Sequence, residues 1–182
     1  MIKVEKIEVG YLKENCYILK QGNNVLVIDP GDEYEKIKNV IGSSKVVGIL
    51  ITHNHFDHIG ARDDLSKYYK VPVYDYNNLE EKEYTIEPFK FKVIKTPGHS
   101  IDSVTYYFEN ESIMFVGDFI FKDGIGRCDL TGGDIDTMYK SISKIKTYPD
   151  CIIYPGHGSE TSLNIEKENN PYFKIEHVWF LW

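Results

Sequence analysis

The stretch THNHFDHIG, residues 52–60, holds three of the six histidines in the chain together with one aspartate. In an extended backbone, side chains two positions apart point the same way, so His53 and His55 can reach one common point. Asp57 and His58 are adjacent and break this alternation, so they require either a turn or a second target close to the first. Two neighbouring metal ions satisfy that geometry, because imidazole and carboxylate are common metal ligands. The alternative is a polar turn in which Asp57 caps a helix.

The composition is that of an ordinary globular protein. The 182 residues are 42% hydrophobic and 27% charged, which excludes disordered, collagen-like and coiled-coil chains. This length suits one domain spanning residues 1–182. The formal net charge of -7 disfavours nucleic acid as a partner, because such binding depends mainly on lysine and arginine side chains that neutralise phosphates.

Three cysteines, Cys16, Cys128 and Cys151, are too far apart in the sequence to form a CxxC motif. An odd number of free thiols indicates a reducing compartment. The amino-terminal segment alternates apolar and charged residues, unlike a signal peptide. No stretch reaches the ~20 apolar residues of a membrane helix. We therefore expect a cytoplasmic protein without a membrane partner.

Alternating apolar residues predict strands in both halves of the chain. Antiparallel strands are expected first, with a turn at residues 22–24, in IKVEKIEV, CYILK and NVLVIDPG. The run VVGILIT, which ends at the histidine cluster, is almost wholly apolar, as is typical of a strand buried on both faces. Later strands are expected in VPVYDY, FKFKVIKTPGHS, SVTYYF, SIMFVGD and CIIYPGHG. A glycine-rich loop at residues 122–133 shows no regular period.

Three segments have helical spacing. In DEYEKIKNVIG, Asp32 is placed to cap the start and Gly42 to close the end. A short helix is expected in ARDDLSKYY. The clearest helix is DIDTMYKSISKIKTY, whose apolar face is formed by Ile135, Met138, Ile142 and Ile145. Strands and helices in this order predict an α+β fold of two packed sheets whose outer faces are covered by helices.

Three further ligand-type residues occupy matching positions. His99 in TPGHS, Asp118 in FVGD and His157 in YPGHG each follow a predicted strand and a glycine. A strand end is a rigid support, and the preceding glycine allows the backbone to approach a ligand closely. Each of these residues alone is more often a plain turn residue, but together with the histidine cluster they predict one shared site.

These motifs resemble those of a known family. THNHFDHIG resembles the HxHxDH signature of the metallo-β-lactamase fold, and later motifs of its glyoxalase II branch, the hydroxyacylglutathione hydrolases, resemble TPGHSIDSV, FVGDFIF, IGRCDLTGGD, YPGHG and ENNPYF. The resemblance extends from about Asn15 to Phe173. It implies an αββα four-layer sandwich of two mixed sheets with a two-metal site along one edge.

The resemblance also implies seven ligands for two divalent ions. The first ion would be held by His53, His55 and His99, the second by Asp57, His58 and His157, and both by the bridging Asp118. Asp29, in VIDPG, occupies the position of an acid that braces the metal loops in the family. It is equally compatible with a simple turn before Pro30.

The implied activity is hydrolysis of an acyl thioester such as hydroxyacylglutathione, with Asp57 and Asp118 as the catalytic carboxylates. Divalent ions lower the pKa of bound water from about 15.7 toward about 7, and a hydroxide shared by both ions would attack the thioester carbonyl. A thiolate leaves readily, so no separate general acid is required. Nitrogen and oxygen donors suit zinc, iron or manganese; zinc is expected first because it is a plain Lewis acid.

The chain departs from the two-domain enzymes of that branch. Twenty-five residues follow His157, so the carboxy-terminal helical domain of those enzymes is expected to be missing. Ser159 stands where they place a tyrosine that contacts glutathione. Arg127, in GIGRCDL, is the candidate substrate-binding residue, although a solvated loop cation is the slightly favoured alternative. Cys128 is expected to be a small, half-buried residue without a catalytic role.

Other functions remain open. A persulfide dioxygenase shares the fold but uses one iron. A β-lactamase is less favoured, because Asp118 fills the bridging position at which those lactamases differ. A metal-binding sensor would use the same ligands without turnover. The apolar tail IEHVWFLW needs cover on the domain, at the mouth of the site or in a homodimer.

Overall fold

A computed structural model describes residues 1–175, so the tail beyond Ile175, and the question of what covers it, lie outside the described residues. The first sheet contains five strands, which are neighbours in chain order: β1 (Lys3–Val9), β2 (Glu14–Gln21), β3 (Asn24–Ile28), β4 (Lys45–Leu50) and β5 (Val73–Tyr74). The pairs β1–β2 and β2–β3 are antiparallel, whereas β4 and β5 add in parallel. These strands confirm the predicted antiparallel start and the apolar strand before the histidine cluster.

The second sheet is built from the later part of the chain. Its six strands are β6 (Glu83–Ile86), β7 (Phe89–Lys95), β8 (Val104–Phe108), β9 (Ile113–Gly117), β12 (Ile152–Pro155) and β13 (Thr161–Ser162). Their order across the sheet is β13-β12-β9-β8-β7-β6, and only the β12–β9 pair is parallel. A separate short hairpin joins β10 (Ile120–Phe121) and β11 (Gly124–Ile125).

Helices lie on the outer faces of both sheets. The first sheet is covered by α1 (Tyr34–Ile41) and α3 (Arg62–Tyr69), and the second by α4 (Ile135–Ile145) and α5 (Leu163–Asn169). The short helix α2 (Phe56–Ile59) lies in the segment between β4 and α3. No helix within the described residues is long and apolar enough to cross a membrane.

Three apolar clusters separate four layers. Leu26 and Phe115 belong to the cluster between the two sheets. Ile37 of α1 and Leu65 of α3 pack on the outer face of the first sheet. Met138 of α4 packs on the outer face of the second sheet, together with α5. This αββα order of layers confirms the predicted fold.

The structure corrects several local predictions. Asp32 does not cap α1, because the residue before the helix is Glu33, whose side chain makes no capping hydrogen bond; Asp32 instead accepts a hydrogen bond from the Glu33 N–H at 2.6 Å. Gly42 closes α1 with φ 62°, as predicted. On α4, Ile135 is exposed rather than part of the buried face. The strands β6, β10 and β11 and the helix α5 were not predicted at all.

Candidate metal centre

The segment after β4 combines an extended backbone with a turn of helix. His53 and His55 lie outside regular secondary structure, and the backbone of His55 is extended, with φ -67° and ψ 147°. Asp57 and His58 follow in the four-residue helix α2. The break in alternation predicted for this segment is therefore made by a helical turn, and both parts of the segment face one centre.

The structure gathers the predicted ligands into two groups, which we call the first and second triads. The ligand atoms of each triad lie within 4.8 Å of one another; the first triad is His53, His55 and His99, and the second is Asp57, His58 and His157. In the first triad, His55 Nδ1 lies 3.1 Å from His53 Nε2 and 2.9 Å from His99 Nε2. In the second, His157 Nε2 lies 3.2 Å from Asp57 Oδ2.

Asp118 reaches both triads. Its Oδ2 lies 3.6 Å from His99 Nε2 and 3.7 Å from His157 Nε2, and its Oδ1 lies 3.3 Å from His58 Nε2. Burial alone would raise the pKa of Asp118, but the neighbouring His58 imidazole lowers it below the usual range. The carboxylate is therefore ionised at neutral pH and stands between the two triads.

The glycines before two of these residues allow the close approach. A Cβ on Gly156 would collide with Asp118 Oδ1 and lie 2.6 Å from His58 Cε1. Gly117 has φ 53°, which favours glycine, and a Cβ there would lie 2.7 Å from Thr52 Cβ. These positions admit no side chain because the two sheets meet here.

Backbone carbonyls fix two of the imidazoles. His99 Nδ1 lies 2.8 Å from the Arg127 carbonyl oxygen, and His157 Nδ1 lies 3.2 Å from the Leu12 carbonyl oxygen. A carbonyl only accepts hydrogen bonds, so each Nδ1 donates, and each Nε2 faces the Asp118 carboxylate. His55 is turned the other way, with Nδ1 toward the first triad.

Asp29 orients an imidazole in each triad. Its Oδ1 accepts from the Thr52 N–H at 2.7 Å, and its Oδ2 accepts from the Thr52 hydroxyl at 2.5 Å and from His58 Nδ1 at 3.0 Å. Because the Thr52 hydroxyl donates to Asp29, its oxygen can accept from His53 Nδ1, 3.1 Å away. Asp29 is therefore more than a turn residue, and its contacts are those of a bracing acid.

Sequence reasoning missed Glu14. Its side chain is buried next to the second triad, with Oε1 3.7 Å from His58 Nδ1. Neither carboxyl oxygen has a hydrogen-bond partner among residues 1–175. Burial raises the pKa of Glu14 well above its usual range. Within KENC the residue looks like an ordinary exposed charge, and no local signal marks it.

The pKa values of His53 and His55 in the first triad favour metal binding. Burial and the neighbouring imidazoles lower the pKa of His53 well below its usual range. Burial and His99 lower the pKa of His55. These nitrogens are therefore unprotonated near neutral pH and offer their lone pairs.

The pKa values of the two histidines in the second triad, His58 and His157, shift the other way. Burial alone would lower the pKa of His58, but the carboxylates of Asp118 and Asp29 raise it well above its usual range. The hydrogen bond to Asp57 raises the pKa of His157. A metal ion must therefore compete with protons for these nitrogens.

The residues present fit a pair of divalent cations. His58 Nε2 and Asp118 Oδ1 are buried and face each other, yet neither makes a hydrogen bond within the described residues. An unpaired buried polar atom costs about 1–3 kcal/mol, which a cation between the two atoms would offset. The donors are nitrogen and oxygen atoms without a cysteine among them, a set that suits zinc, iron or manganese.

Residues of β2 in the first sheet also hold the loop that carries His157. Asn15 Nδ2 donates to the carbonyl oxygens of Pro155 and Gly158 at 3.0 and 2.9 Å. The Asn15 N–H donates to the Gly156 carbonyl at 2.7 Å, and the Tyr17 hydroxyl donates to the Pro155 carbonyl at 2.6 Å. These bonds join segments about 140 positions apart, so no local pattern could reveal them.

A second network joins the two loops of the first triad. Asp102 Oδ2 accepts from the Asn54 N–H at 3.1 Å and from Asn54 Nδ2 at 2.8 Å. Its Oδ1 accepts from the Ser100 hydroxyl at 2.7 Å, and Arg62 Nη1 donates to Asn54 Oδ1 at 3.1 Å. Neither Asn54 nor Asp102 was singled out from the sequence, because both lie among stronger ligand candidates.

A cavity of about 610 Å³ opens over the donors, a size typical of small-molecule sites. Ligand-type residues on its wall are His55, Asp57, His99, Asp118 and His157. Apolar residues on its wall are Leu12, Phe56, Phe121 and Leu130.

Arg127 also lines this cavity, but its guanidinium is already paired. Nε and Nη2 donate to the Asp129 carboxylate at 2.7 and 2.8 Å, and the side chain is 62% exposed. Its backbone carbonyl, which sequence reasoning did not consider, holds His99. Cys128 is half-buried as expected, and burial raises the pKa of its thiol, which opposes a reactive role.

An αββα sandwich with histidine and aspartate donors at one edge defines the class of metallo-hydrolases built on this fold. Residues 9–81 and 73–157 match the sequence profile of the metallo-beta-lactamase superfamily, and the chain belongs to that family.

Two curated relatives match nearly the whole chain. The probable metallo-hydrolase YqgX of Bacillus subtilis (strain 168) is 33% identical over 94% of this chain and 97% of its own length. The hydroxyacylglutathione hydrolase GloC of Haemophilus influenzae is 29% identical over 94% of this chain and 98% of its own length. These relatives confirm the family that the motifs resembled.

Two solved structures have the same fold. The BLEG-1 B3 metallo-beta-lactamase superposes with a TM-score of 0.91 at 32% identity, over 95% of this chain and 100% of its own. TTHA1623, solved in a di-iron-bound form, superposes with a TM-score of 0.84 at 31% identity, over 92% of this chain and 99% of its own.

Proposed function

We propose that the protein is a binuclear metal-dependent hydrolase of acyl thioesters. The carrying observation is that Asp118 lies within 3.7 Å of a nitrogen in each triad, on the wall of a 610 Å³ cavity. The first ion would be held by His53, His55 and His99, the second by Asp57, His58 and His157, and both by Asp118. When bound, such ions polarise a carbonyl and make water available as hydroxide near neutral pH.

Side chains and carbonyls of the chain orient the imidazoles of the site, and its carboxylates give the site negative charge. The anchored Nδ1 atoms of His58, His99 and His157 direct the Nε2 atoms of these imidazoles inward. The carboxylates of Asp57 and Asp118, whose pKa values lie below the usual range, stay ionised and offset part of the cationic charge.

A thioester suits this site because its leaving group needs no proton donor. A thiol has a pKa near 8.5, so the thiolate departs without a general acid. Similarity to the hydroxyacylglutathione hydrolase GloC supports the same reaction class. Zinc is the first candidate metal, and the di-iron form of TTHA1623 keeps iron among the candidates with manganese. We place the enzyme in the cytoplasm, in keeping with its three free thiols.

Two other activities are separate outcomes of the test. The likeness to the BLEG-1 B3 metallo-beta-lactamase favours β-lactam hydrolysis as the second candidate. A persulfide dioxygenase uses one iron, whereas the second triad supports a site for two ions.

The test begins with metal-free protein reconstituted with zinc, manganese or iron. Metal content is measured first, and about two ions per chain are expected. Each form is then assayed with S-lactoylglutathione, a simple acyl thioester, a chromogenic β-lactam, and glutathione persulfide with oxygen uptake. The proposal predicts that thioesters are the preferred substrates; a loaded protein that hydrolyses none of them refutes it.

A substitution tests the role of the bridging carboxylate. Asp118→Ala should lower thioester turnover by at least about a hundredfold while circular dichroism stays unchanged. Asp63→Ala, on the exposed start of α3, is the matched control and should keep full turnover. Unchanged turnover in Asp118→Ala would refute the assigned role.

A further inference from the structure

We infer that Leu12 and Phe56 form a binding subsite for an aliphatic acyl chain, so that the preferred substrates are thioesters of apolar acids rather than of small hydroxy acids. This inference rests on the proposed function and names the substrate class of the same site. Both side chains are exposed, both line two adjoining cavities, and one positively charged side chain among the described residues lines these cavities.

Large apolar side chains surround the mouth of the cavity without being buried. Leu12 is 44% exposed, Phe56 is 65% exposed and Leu130 is 41% exposed. Phe56 lies between two ligand-type residues, His55 and Asp57, where an apolar side chain gains nothing from the core. Contiguous exposed apolar surface beside a cavity is a mark of ligand-binding grooves.

The apolar wall continues beyond the metal donors. A second cavity of about 220 Å³ shares Leu12, Phe56 and Asp57 with the first. Its other lining residues include Val9 and Tyr11 of the first hairpin. The acyl chain of a substrate whose carbonyl lies at the donors would therefore have Leu12 and Phe56 beside it, next to the second cavity, which Asp32 also lines.

The hairpin that carries Leu12 is already held in place. The Gly10 N–H donates to Glu33 Oε2 at 3.1 Å, and the Lys13 N–H donates to the Gly10 carbonyl at 3.2 Å. The Leu12 carbonyl accepts from His157 Nδ1 at 3.2 Å. The subsite is therefore joined to the second triad and largely pre-formed, which lowers the entropy lost on binding.

The charges near the cavity do not favour a thioester whose thiol part is anionic, as glutathione is. Among the described lining residues, Arg127 is the only lysine or arginine, and its guanidinium is paired with Asp129. The chain as a whole carries a net charge of -7. A tripeptide carrier with free carboxylates would compete with Asp129 for Arg127, whereas an aliphatic acyl chain requires no cation.

The test compares chain length and carrier charge in the full-length, zinc-loaded protein. Straight-chain thioesters from acetyl to octanoyl are made with glutathione and with neutral N-acetylcysteamine. Since burying one methylene changes binding by about three- to fourfold, kcat/KM should rise by that factor per methylene on either thiol. Octanoyl thioesters should exceed S-lactoylglutathione by at least about tenfold.

Variants locate the effect. Leu12→Ala and Phe56→Ala should reduce the rise in kcat/KM per methylene, and the metal content of each variant is measured alongside. Ile165→Ala, at an isoleucine on α5 that is 46% exposed and away from the cavity, should keep the full dependence. A flat chain-length profile in the unsubstituted protein, or an equal effect of Ile165→Ala, overturns the subsite.

A binding measurement separates this inference from the proposed reaction. The probe is the ketone analogue of octanoyl-N-acetylcysteamine, in which a methylene replaces sulphur and hydrolysis is impossible. Calorimetry should show binding that weakens by about tenfold in Phe56→Ala; equal affinity for the octanoyl and acetyl analogues overturns the subsite. Failure of every thioester to react refutes the proposed function, and the calorimetry still decides whether the subsite exists.

Discussion

His58 Nδ1 lies 3.0 Å from Asp29 Oδ2, so one carboxylate orients the central imidazole of the second triad. The same carboxylate holds Thr52, which contacts His53 of the first triad. Removing such a partner of a metal-binding histidine typically lowers metal affinity by about 10–100-fold.

Asp29→Asn should weaken metal binding at the second triad by about 10–100-fold and at the first triad by less. Asp29 has φ 48°, a conformation that asparagine tolerates, so the backbone should not change. Competition with a chelator measures both affinities, and Asp63→Asn on the exposed face of α3 is the control. A larger loss at the first triad would contradict this role.

Acidification should release the ion at the second triad before the ion at the first. The pKa values of His53 and His55 are lowered, so these imidazoles stay neutral as the pH falls. The pKa values of His58 and His157 are raised, so protons displace a metal there at higher pH. Metal content after dialysis between pH 8 and pH 5 should fall in two steps, and a single step of two ions would count against the prediction.

The bonds from Asn15 and Tyr17 to the loop after β12 should differ in strength. Asn15→Ala removes two side-chain hydrogen bonds, although the Pro155 carbonyl keeps its bond from Tyr17 and the Gly158 carbonyl keeps one from Lys6 Nζ. At about 0.5–1.5 kcal/mol for each bond, the loss of unfolding free energy should be about 1–3 kcal/mol. Tyr17→Phe leaves the Pro155 carbonyl its bond from Asn15, so the loss should be about 0.5–1.5 kcal/mol. Urea denaturation of metal-free protein measures both, and a larger loss in Tyr17→Phe would reverse the assignment.

Glu14→Gln should raise the stability of the metal-free protein at pH 7. Burial raises the pKa of Glu14 above its ordinary 4.5, so the folded state keeps a proton that the unfolded state releases. Stability is therefore complete below about pH 4.5 and falls as the pH rises toward the folded pKa, by at most about 1.4 kcal/mol per pH unit. Denaturation from pH 5 to pH 8 should show a smaller decline in the glutamine variant; identical slopes would exclude this contribution.

Much of the site could be predicted because its candidate ligands form recognisable patterns in short stretches of sequence. The spacing of His53, His55, Asp57 and His58 has few structural explanations, and glycines mark the approach of later ligands. The residues that support the ligands give no such signal. Asn15, Asp29 and Glu14 act on partners far away in the sequence, and their types are common in turns and on surfaces.

The fold was predictable where segments are long and periodic. The alternation in β1 and the spacing of Met138 and Ile142 in α4 identify their elements. By contrast, β6 has two exposed and two half-buried residues, and α5 buries only Leu163 and Glu166. Short elements of this kind depend on neighbours supplied by the rest of the chain. The supposed cap at Asp32 was wrong because the turn there is set by the left-handed backbone of Glu33, at φ 52°.

The donors come from loops of both sheets: the cluster after β4 belongs to the first, and His157 after β12 belongs to the second. Ions bound by loops of both sheets would cross-link the two sheets along one edge of the sandwich. A ligand that binds only the folded chain at a hundred times its Kd adds about 2.7 kcal/mol to stability. The metal supply of a cell would then govern how long the molecule persists, and not only how fast it works.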